Sequence, residues 1–158
     1  TPQTVMHPDL ATRYDYDGVF GTVLNRFVVQ AVAGYPLTVY GKGGQIRGIL
    51  DIRDTLACIE LAVLNPPEAG EYRVFNQFTE SYSVLELAHM VARVAADNHV
   101  RSGDSPKIEH FDDPRVEADE HYYRAAHTKL LDLGLVPHLL DDDLISSLLD
   151  LVEQQQSR

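Results

Sequence analysis

The seventeen residues from Thr38 to Asp54 constrain the fold more than any other stretch. They set a β-prone run, a glycine turn, a second alternating run and a helix cap in immediate succession, so the chain must turn, pair and enter a helix over a short distance. Gly41, Gly43 and Gly44 permit positive φ and close backbone approach, which makes the turn a surface that a ligand could lie against. Beyond it, period-two alternation puts Gln45, Arg47 and Asp51 on one face and Ile46, Leu50 and Ile52 on the other, a polar edge backed by a core face.

The elements around this stretch follow from periodicity and punctuation. Phe20, Val23, Leu24, Phe27, Val28, Ala31 and Val32 recur at three and four, predicting an amphipathic helix from Val19 to Gly34 that Pro36 stops. Leu37 to Tyr40 reads as a strand. Asp54-Thr55 offers an N-cap for a helix to about Leu64, ended by Asn65-Pro66-Pro67, with Ile59, Ala62 and Val63 inward. Glu71 to Phe75, rich in Tyr, Val and Phe, predicts a further strand.

Ser83-Val84-Leu85-Glu86 is a capping box that opens a helix with Val84, Leu87, Ala88, Val91 and Ala95 as its apolar stripe. Lys107 to Phe111 is a short strand, and a short helix from Ala125 to Leu133 closes on Gly134. The last helix runs from Asp142 to Gln155, with Asp141, Asp142 and Asp143 where its dipole favours carboxylates. Alternating strands and helices predict an α/β architecture with mostly parallel strands. Residues 1–18, with Pro2, Pro8 and no periodicity, read as an irregular lead-in to one domain over 19–158.

The charge balance narrows the ligand classes. A net charge of −11 argues against a broad nucleic-acid or membrane-surface role, so an anionic ligand must be held by locally placed arginines. The single cysteine, Cys58, lies among apolar residues of a helix; it reads as a buried structural thiol, excludes a disulfide framework and points to a reducing, cytoplasmic compartment. The histidines show no i, i+4 pair and no second cysteine joins them, so no metal site is expected. A Gly-x-Ser-x-Gly nucleophile elbow is missing too.

Planar arginine is the usual partner of a diphosphate. Arg26, Arg47, Arg53 and Arg115 lie in or beside ordered-looking elements. Phosphate contact is the favoured reading for Arg47 and Arg115, surface ion pairing for Arg26 and Arg53. Tyr40, beside the turn, could stack on a base or lie half buried at a strand end.

A set of motifs spread over nearly the whole chain carries a resemblance. These include Asp17-Gly18-Val19-Phe20-Gly21-Thr22, Asn25-Arg26-Phe27, Leu37-Thr38-Val39-Tyr40-Gly41-Lys42-Gly43-Gly44-Gln45 and Asp51-Ile52-Arg53-Asp54-Thr55. Val74-Phe75-Asn76-Gln77-Phe78-Thr79-Glu80, Pro114-Arg115-Val116-Glu117-Ala118, Glu120-His121-Tyr122-Tyr123 and His127-Thr128-Lys129-Leu130 continue it. Together they are similar to the C-terminal half of the UDP-sulfoquinovose synthase family, within the extended short-chain dehydrogenases/reductases that include the NAD-dependent epimerases and dehydratases. Pro114-Arg115-Val116-Glu117 resembles that subfamily's variant of a stretch that elsewhere reads Arg-Pro-Gly-Asp.

The resemblance implies an α/β substrate-binding portion and a whole enzyme that converts UDP-glucose and sulfite to UDP-sulfoquinovose for sulfolipid biosynthesis, using a tightly held NAD. It further implies that uracil meets Leu37, Thr38, Val39 and Tyr40, that Gln45 and Arg47 meet the ribose and phosphates, and that Arg115, with Glu117 beside it, clamps the diphosphate. Asn25 and Arg26 are weaker substrate-binding candidates. The departures are as informative. The chain contains no Gly-x-x-Gly-x-x-Gly for NAD and no Tyr-x-x-x-Lys pair, since Tyr122 and Tyr123 lack a lysine four residues on.

The expectation is therefore a UDP-glucose-binding half with no catalytic residue and no cofactor of its own, not active alone. It would be completed by a separate nucleotide-binding half and prone to self-association. The alternatives are a standalone nucleotide-sugar-binding or protein-interaction module, and a fragment of another epimerase or dehydratase.

Overall fold

The computed structural model describes His7 and residues 22–98, 100, 105–112 and 125–155. The lead-in at 1–18, His7 apart, and the Arg115 to Tyr123 segment lie outside these described residues. Within the described residues the elements follow in the order α1 (Val23–Ala33), β1 (Leu37–Tyr40), β2 (Ile46–Ile49), α2 (Ile52–Leu64), β3 (Glu80–Ser83), α3 (Val84–Asp97), β4 (Ile108–Phe111), α4 (Lys129–Asp132) and α5 (Asp142–Gln155).

The strands form two small ladders. β1 and β4 pair in parallel, with Leu37 opposite Ile108 and Tyr40 opposite Phe111, while β2 and β3 pair antiparallel, with Ile46 opposite Ser83. The α/β class holds, and the mostly parallel arrangement is corrected to one ladder of each kind. The segment Glu71 to Phe75 forms no strand. Its backbone finds no neighbouring strand among the described residues, and β-propensity without a partner does not make a ladder.

Three helices enclose the main core. α1, α3 and α5 pack on one another, and α1 and α3 also on β1, burying Phe27, Val28, Leu37, Val39, Leu87, Val91, Ile145 and Leu149. The sequence dictates these faces: α1 and α3 carry their apolar residues at three- and four-residue spacing. Thr22 caps α1 by accepting from the Asn25 N–H, and Gly34 ends it at φ 76° in the left-handed region. The predicted capping box of α3 is present, with Ser83 N donating to Glu86 Oε2 at 2.7 Å and Glu86 N to Ser83 Oγ at 3.1 Å. The expected stripe of Val84, Leu87, Ala88, Val91 and Ala95 is buried, and α5 has the predicted bounds.

Helix α2 stands apart from this core and differs from expectation in two ways. Its cap is Asp51, which accepts from the Arg53 N–H, whereas Asp54 is one turn inside the helix and 1% exposed. The inward face carries Asp54 and Cys58, so the expected inward residues Ile59 and Val63 point outward, as does Ile52. Cys58 is buried as anticipated, in a second small cluster with Leu130 and Leu135. No described helix is long and apolar enough to cross a membrane.

Two carboxylates tie the α4–α5 connection to the rest. Asp54 accepts from the His138 backbone N–H at 2.8 Å and from its Nδ1 at 2.6 Å. Glu80 accepts from the Leu140 N–H at 2.6 Å and the Tyr82 hydroxyl at 2.5 Å. Burial, reinforced by the Glu80 carboxylate, pushes the Tyr82 phenol up to about 12, so it stays a donor.

The capping box makes stability depend on acid. The Ser83 N–H, aided by the Ser83 hydroxyl, holds the Glu86 carboxyl below its ordinary 4.5. A lowered folded pKa contributes stability that is present above the ordinary value and lost as pH falls through the lowered one. We expect Glu86→Gln to remove this loss from the stability-against-pH profile of chemical unfolding, and Ser83→Ala to cost about 1 kcal/mol at neutral pH. Coincident acid profiles for the parent and Glu86→Gln would contradict this.

Candidate functional site

The glycine turn connects β1 to β2 and is occupied from inside. Gly43 has φ 74°, and a Cβ built there would lie 2.7 Å from Val39 Cγ1 and 3.0 Å from Leu85 Cβ. The close approach that this glycine permits is thus made by the protein's own core. The Leu85 N–H donates to the Gly43 carbonyl at 2.9 Å and the Val84 N–H to the Gln45 carbonyl at 3.0 Å. The first turn of α3 spends its donors on the turn, so neither glycine nor helix start is free for a pyrophosphate. Nothing lies within 4 Å of a Cβ at Gly44. Gly41 joins the other ladder, donating to the Phe111 carbonyl at 2.8 Å and accepting from His110 Nδ1 at 2.8 Å.

On β1, Leu37 and Val39 are fully buried, so Thr38 and Tyr40 are the residues turned away from the core. Thr38 is already clamped. Gln30 donates to its hydroxyl at 2.9 Å and accepts from its N–H at 3.1 Å, and Arg26 Nη2 donates to its carbonyl at 2.8 Å. The Arg26 guanidinium also sits 5.2 Å from the Tyr40 ring centroid and 5.3 Å from that of Phe27, cation–π distances. This places Arg26 as a brace between α1 and β1. Asn25 is exposed at the start of α1, its N–H on Thr22. Gln45 is half-buried where the turn meets α3.

Arg47 is placed differently. It is exposed on β2, donates from Nη1 to the Ile46 carbonyl at 3.0 Å, and lines an open cleft of about 610 Å³. Ile46, Arg47 and Gly48 form one side of the cleft and residues 75–78 the other, so Arg47 is the sole charge among the described lining residues. The volume is that of a small-molecule site. Asn76 is held by donating to the Ala126 carbonyl at 2.7 Å, and the Phe78 ring lies tilted against that of His127, with centroids 4.6 Å apart. Gly48 is what lets Phe78 close the floor, since a Cβ there would lie 3.0 Å from Phe78 Cγ.

Arg53 makes a fork with Asp51, Nε on Oδ1 at 2.9 Å and Nη2 on Oδ2 at 2.7 Å, which lowers the Asp51 pKa through those hydrogen bonds. That is the ion pair expected for it. Arg115 and Glu117 lie outside the described residues, so the geometry does not place them beside Arg47. Among the described residues no three His, Cys, Asp or Glu side chains gather as a metal site. Sequence reasoning missed Asn76, Gln77 and Phe78 as cleft residues, although their motif was singled out. It also missed the Gln30 clamp, whose signal was a polar residue interrupting the apolar face of α1.

Comparison with known proteins fits this architecture. No profile of a known protein family matches the chain. The chain is 56% identical over its whole length to the chloroplastic UDP-sulfoquinovose synthase of Spinacia oleracea, of which it spans 32%. It is 44% identical, over 85% of its length, to the UDP-sulfoquinovose synthase of Sulfolobus acidocaldarius, of which it spans 33%. It therefore covers about a third of these relatives rather than a half. Among solved structures, a UDP-glucuronic acid 4-epimerase from Bacillus cereus, in complex with UDP-glucuronic acid and NAD, superposes on 85% of the chain with a TM-score of 0.63. That match is 21% identical, covers 40% of the epimerase, and speaks for the fold.

The three glycines give a graded test of how the turn and the cleft floor are built. Gly43→Ala should destabilise by about 2–4 kcal/mol, from positive φ plus a backbone-proximal clash. Gly48→Ala should cost about 1–3 kcal/mol as Phe78 is pushed off His127. Gly44→Ala should stay within about 0.5 kcal/mol of the parent, being a substitution into open space. Urea titration of the three variants checks the order, and a Gly44→Ala loss equal to that of Gly43→Ala would refute it.

Proposed function

We propose that the chain, which belongs to the UDP-sulfoquinovose synthase family of extended short-chain dehydrogenases/reductases as their C-terminal part, forms the UDP-glucose-binding portion of such an enzyme. The observation that carries this reading is 56% identity along the entire chain to a synthase of that name. The cleft beside β2 supports it. One exposed guanidinium in a cleft whose other described lining residues are uncharged suits a diphosphate, which gains charge-assisted bonds there. Arg47 is accordingly the phosphate ligand, and the Gln77 amide and the Asn76 side-chain oxygen would meet sugar or ribose hydroxyls, Asn76 Nδ2 being given to the Ala126 carbonyl.

Uracil on β1 would be met by Tyr40 and the strand end, because Leu37 and Val39 are buried and Thr38 is committed to Gln30 and Arg26. Gln45 would meet the ribose, and Arg115 with Glu117 would complete the diphosphate clamp. Arg26 is left with a bracing role between α1 and β1, and Asn25 stays at the exposed start of α1.

The described glycine turn does not fit the pyrophosphate of NAD. The glycine turn is filled by Val39 and Leu85, and the α3 N–H groups are spent on turn carbonyls. A bound NAD would supply oxidation and reduction of the sugar, and its site falls to the portion of the enzyme that this chain does not span. What these residues contribute to the conversion of UDP-glucose and sulfite is binding and orientation of the nucleotide sugar.

Isothermal titration with UDP-glucose tests the reading. We expect binding that Arg47→Ala weakens about 10- to 100-fold, the worth of a charge-assisted phosphate contact. No heat at millimolar UDP-glucose, or an unchanged affinity for Arg47→Ala, would overturn it.

A further inference from the structure

Gln30 and Asp54 are the two polar side chains buried among the described residues. Asp54 anchors the α4–α5 connection through His138. The Gln30 amide has both its ends on Thr38. It interrupts the buried face of α1 between Val28 and Ala31, where an apolar side chain would pack without needing any hydrogen bond.

The bonds fix which atom does what. A backbone N–H only donates, so the Thr38 N–H at 3.1 Å identifies the Gln30 oxygen, and the Gln30 nitrogen is the atom 2.9 Å from the Thr38 hydroxyl. That nitrogen also only donates. The hydroxyl oxygen accepts it, and the hydroxyl proton must turn elsewhere; among the described residues no group accepts that proton. Thr38 and Tyr40 are two apart on β1 and share the face turned away from the core, so the free proton is offered on the same side as the Tyr40 ring. Arg26, one turn before Gln30 on α1, holds the strand through the Thr38 carbonyl at 2.8 Å, with its guanidinium 5.2 Å from the centroid of that ring.

We propose that Gln30 is a positioning residue that determines which nucleobase the site takes. By donating to the Thr38 hydroxyl it makes that hydroxyl a donor, so the face shared with Tyr40 accepts a base presenting a carbonyl, uracil, and rejects one presenting an amino group in its place, cytosine. An amino group would set donor against donor, and reversing the hydroxyl would set its proton against the Gln30 nitrogen. Gln30 touches no ligand and acts through Thr38. The inference rests on reading the chain as the UDP-sugar-binding portion and adds to it the residue that chooses the base.

Isothermal titration of the 158-residue chain with UDP-glucose and with CDP-glucose gives the ratio of the two affinities. The parent should bind UDP-glucose at least about 10-fold more tightly, the worth of one hydrogen bond made against one opposed. Gln30→Glu keeps the shape and the acceptor for the Thr38 N–H but accepts from the hydroxyl instead of donating to it, and the nearby Arg26 compensates its charge. It should bring the ratio down at least about 10-fold. Thr38→Val removes the hydroxyl and should lower the ratio as well, with Gln30→Glu added to it lowering the ratio no further. Thr38 is half-buried, so this variant carries the test whether or not Gln30→Glu keeps its fold. Thr38→Ser should keep the parent ratio, and Arg47→Ala should weaken both ligands alike. A Gln30 that merely supports the fold would lower both affinities together. A ratio unchanged in Gln30→Glu and Thr38→Val overturns the proposal, as does a parent that binds both nucleotide sugars equally. Those results leave UDP-glucose binding standing, whereas a parent that binds neither ligand overturns the nucleotide-sugar reading and this inference with it.

Discussion

The approach of Gly43 to Val39 and Leu85 is the contact on which the other elements depend. With 2.7 Å left between a notional Cβ and Val39, no other residue fits without moving a fully buried side chain. The same turn receives the Val84 and Leu85 N–H groups, so the start of α3, the end of β1 and the beginning of β2 are fixed in a single junction. From it α3 runs into the three-helix core, while β2 and β3 are held to project Arg47 over the cleft. Glycine here sets the position of the phosphate-ligand candidate without itself facing a ligand.

A second constraint joins the two clusters of the molecule. Asp54 and Glu80 each spend both oxygens on the α4–α5 connection or on its neighbour Tyr82. A carboxyl group as buried as Asp54 is tolerated because both its oxygens accept, and removing either donor would leave a buried acceptor unpaired. The connection thereby acts as a strap. It holds α2 at a set distance from β3, although α2 shares little apolar contact with the main core.

What could be read from the sequence was local. The capping box of α3, the left-handed stop at Gly34, β1 and the bounds of α5 each rest on residues within a few positions of one another, so propensity and periodicity suffice. The resemblance of the motifs supplied the family, and identity along the chain agrees. Less local features were not legible. Asp51 and Asp54 are both acceptable caps by chemistry, and the choice is made by His138, 84 residues from Asp54. The antiparallel pairing of β2 with β3 likewise joins segments separated by α2 and a long loop. In the candidate site, Arg47 could be singled out by type, whereas the cleft needed residues 75–78 to be brought opposite it, a tertiary fact.

The two clearest misreadings share one physical origin. Apolar residues at helical spacing predict burial, with Ile59, Ala62 and Val63 expected inward in α2, yet Ile59 and Val63 are exposed, as are Ile52 and Leu56. A run of Tyr, Val and Phe predicts a strand, and Glu71 to Phe75 carries one, yet it pairs with nothing described. Both rules are statements about what an element requires. Here the requirement is written in the sequence and not met within the described residues, and the two unmet elements lie side by side. Elsewhere in the chain, in α1, α3, β1 and β4, requirement and fulfilment coincide. Local consistency is met by packing at α3 and left unmet at α2 within the described residues, which is why the disagreement between pattern and structure carries more information at α2 than the agreement does at α3.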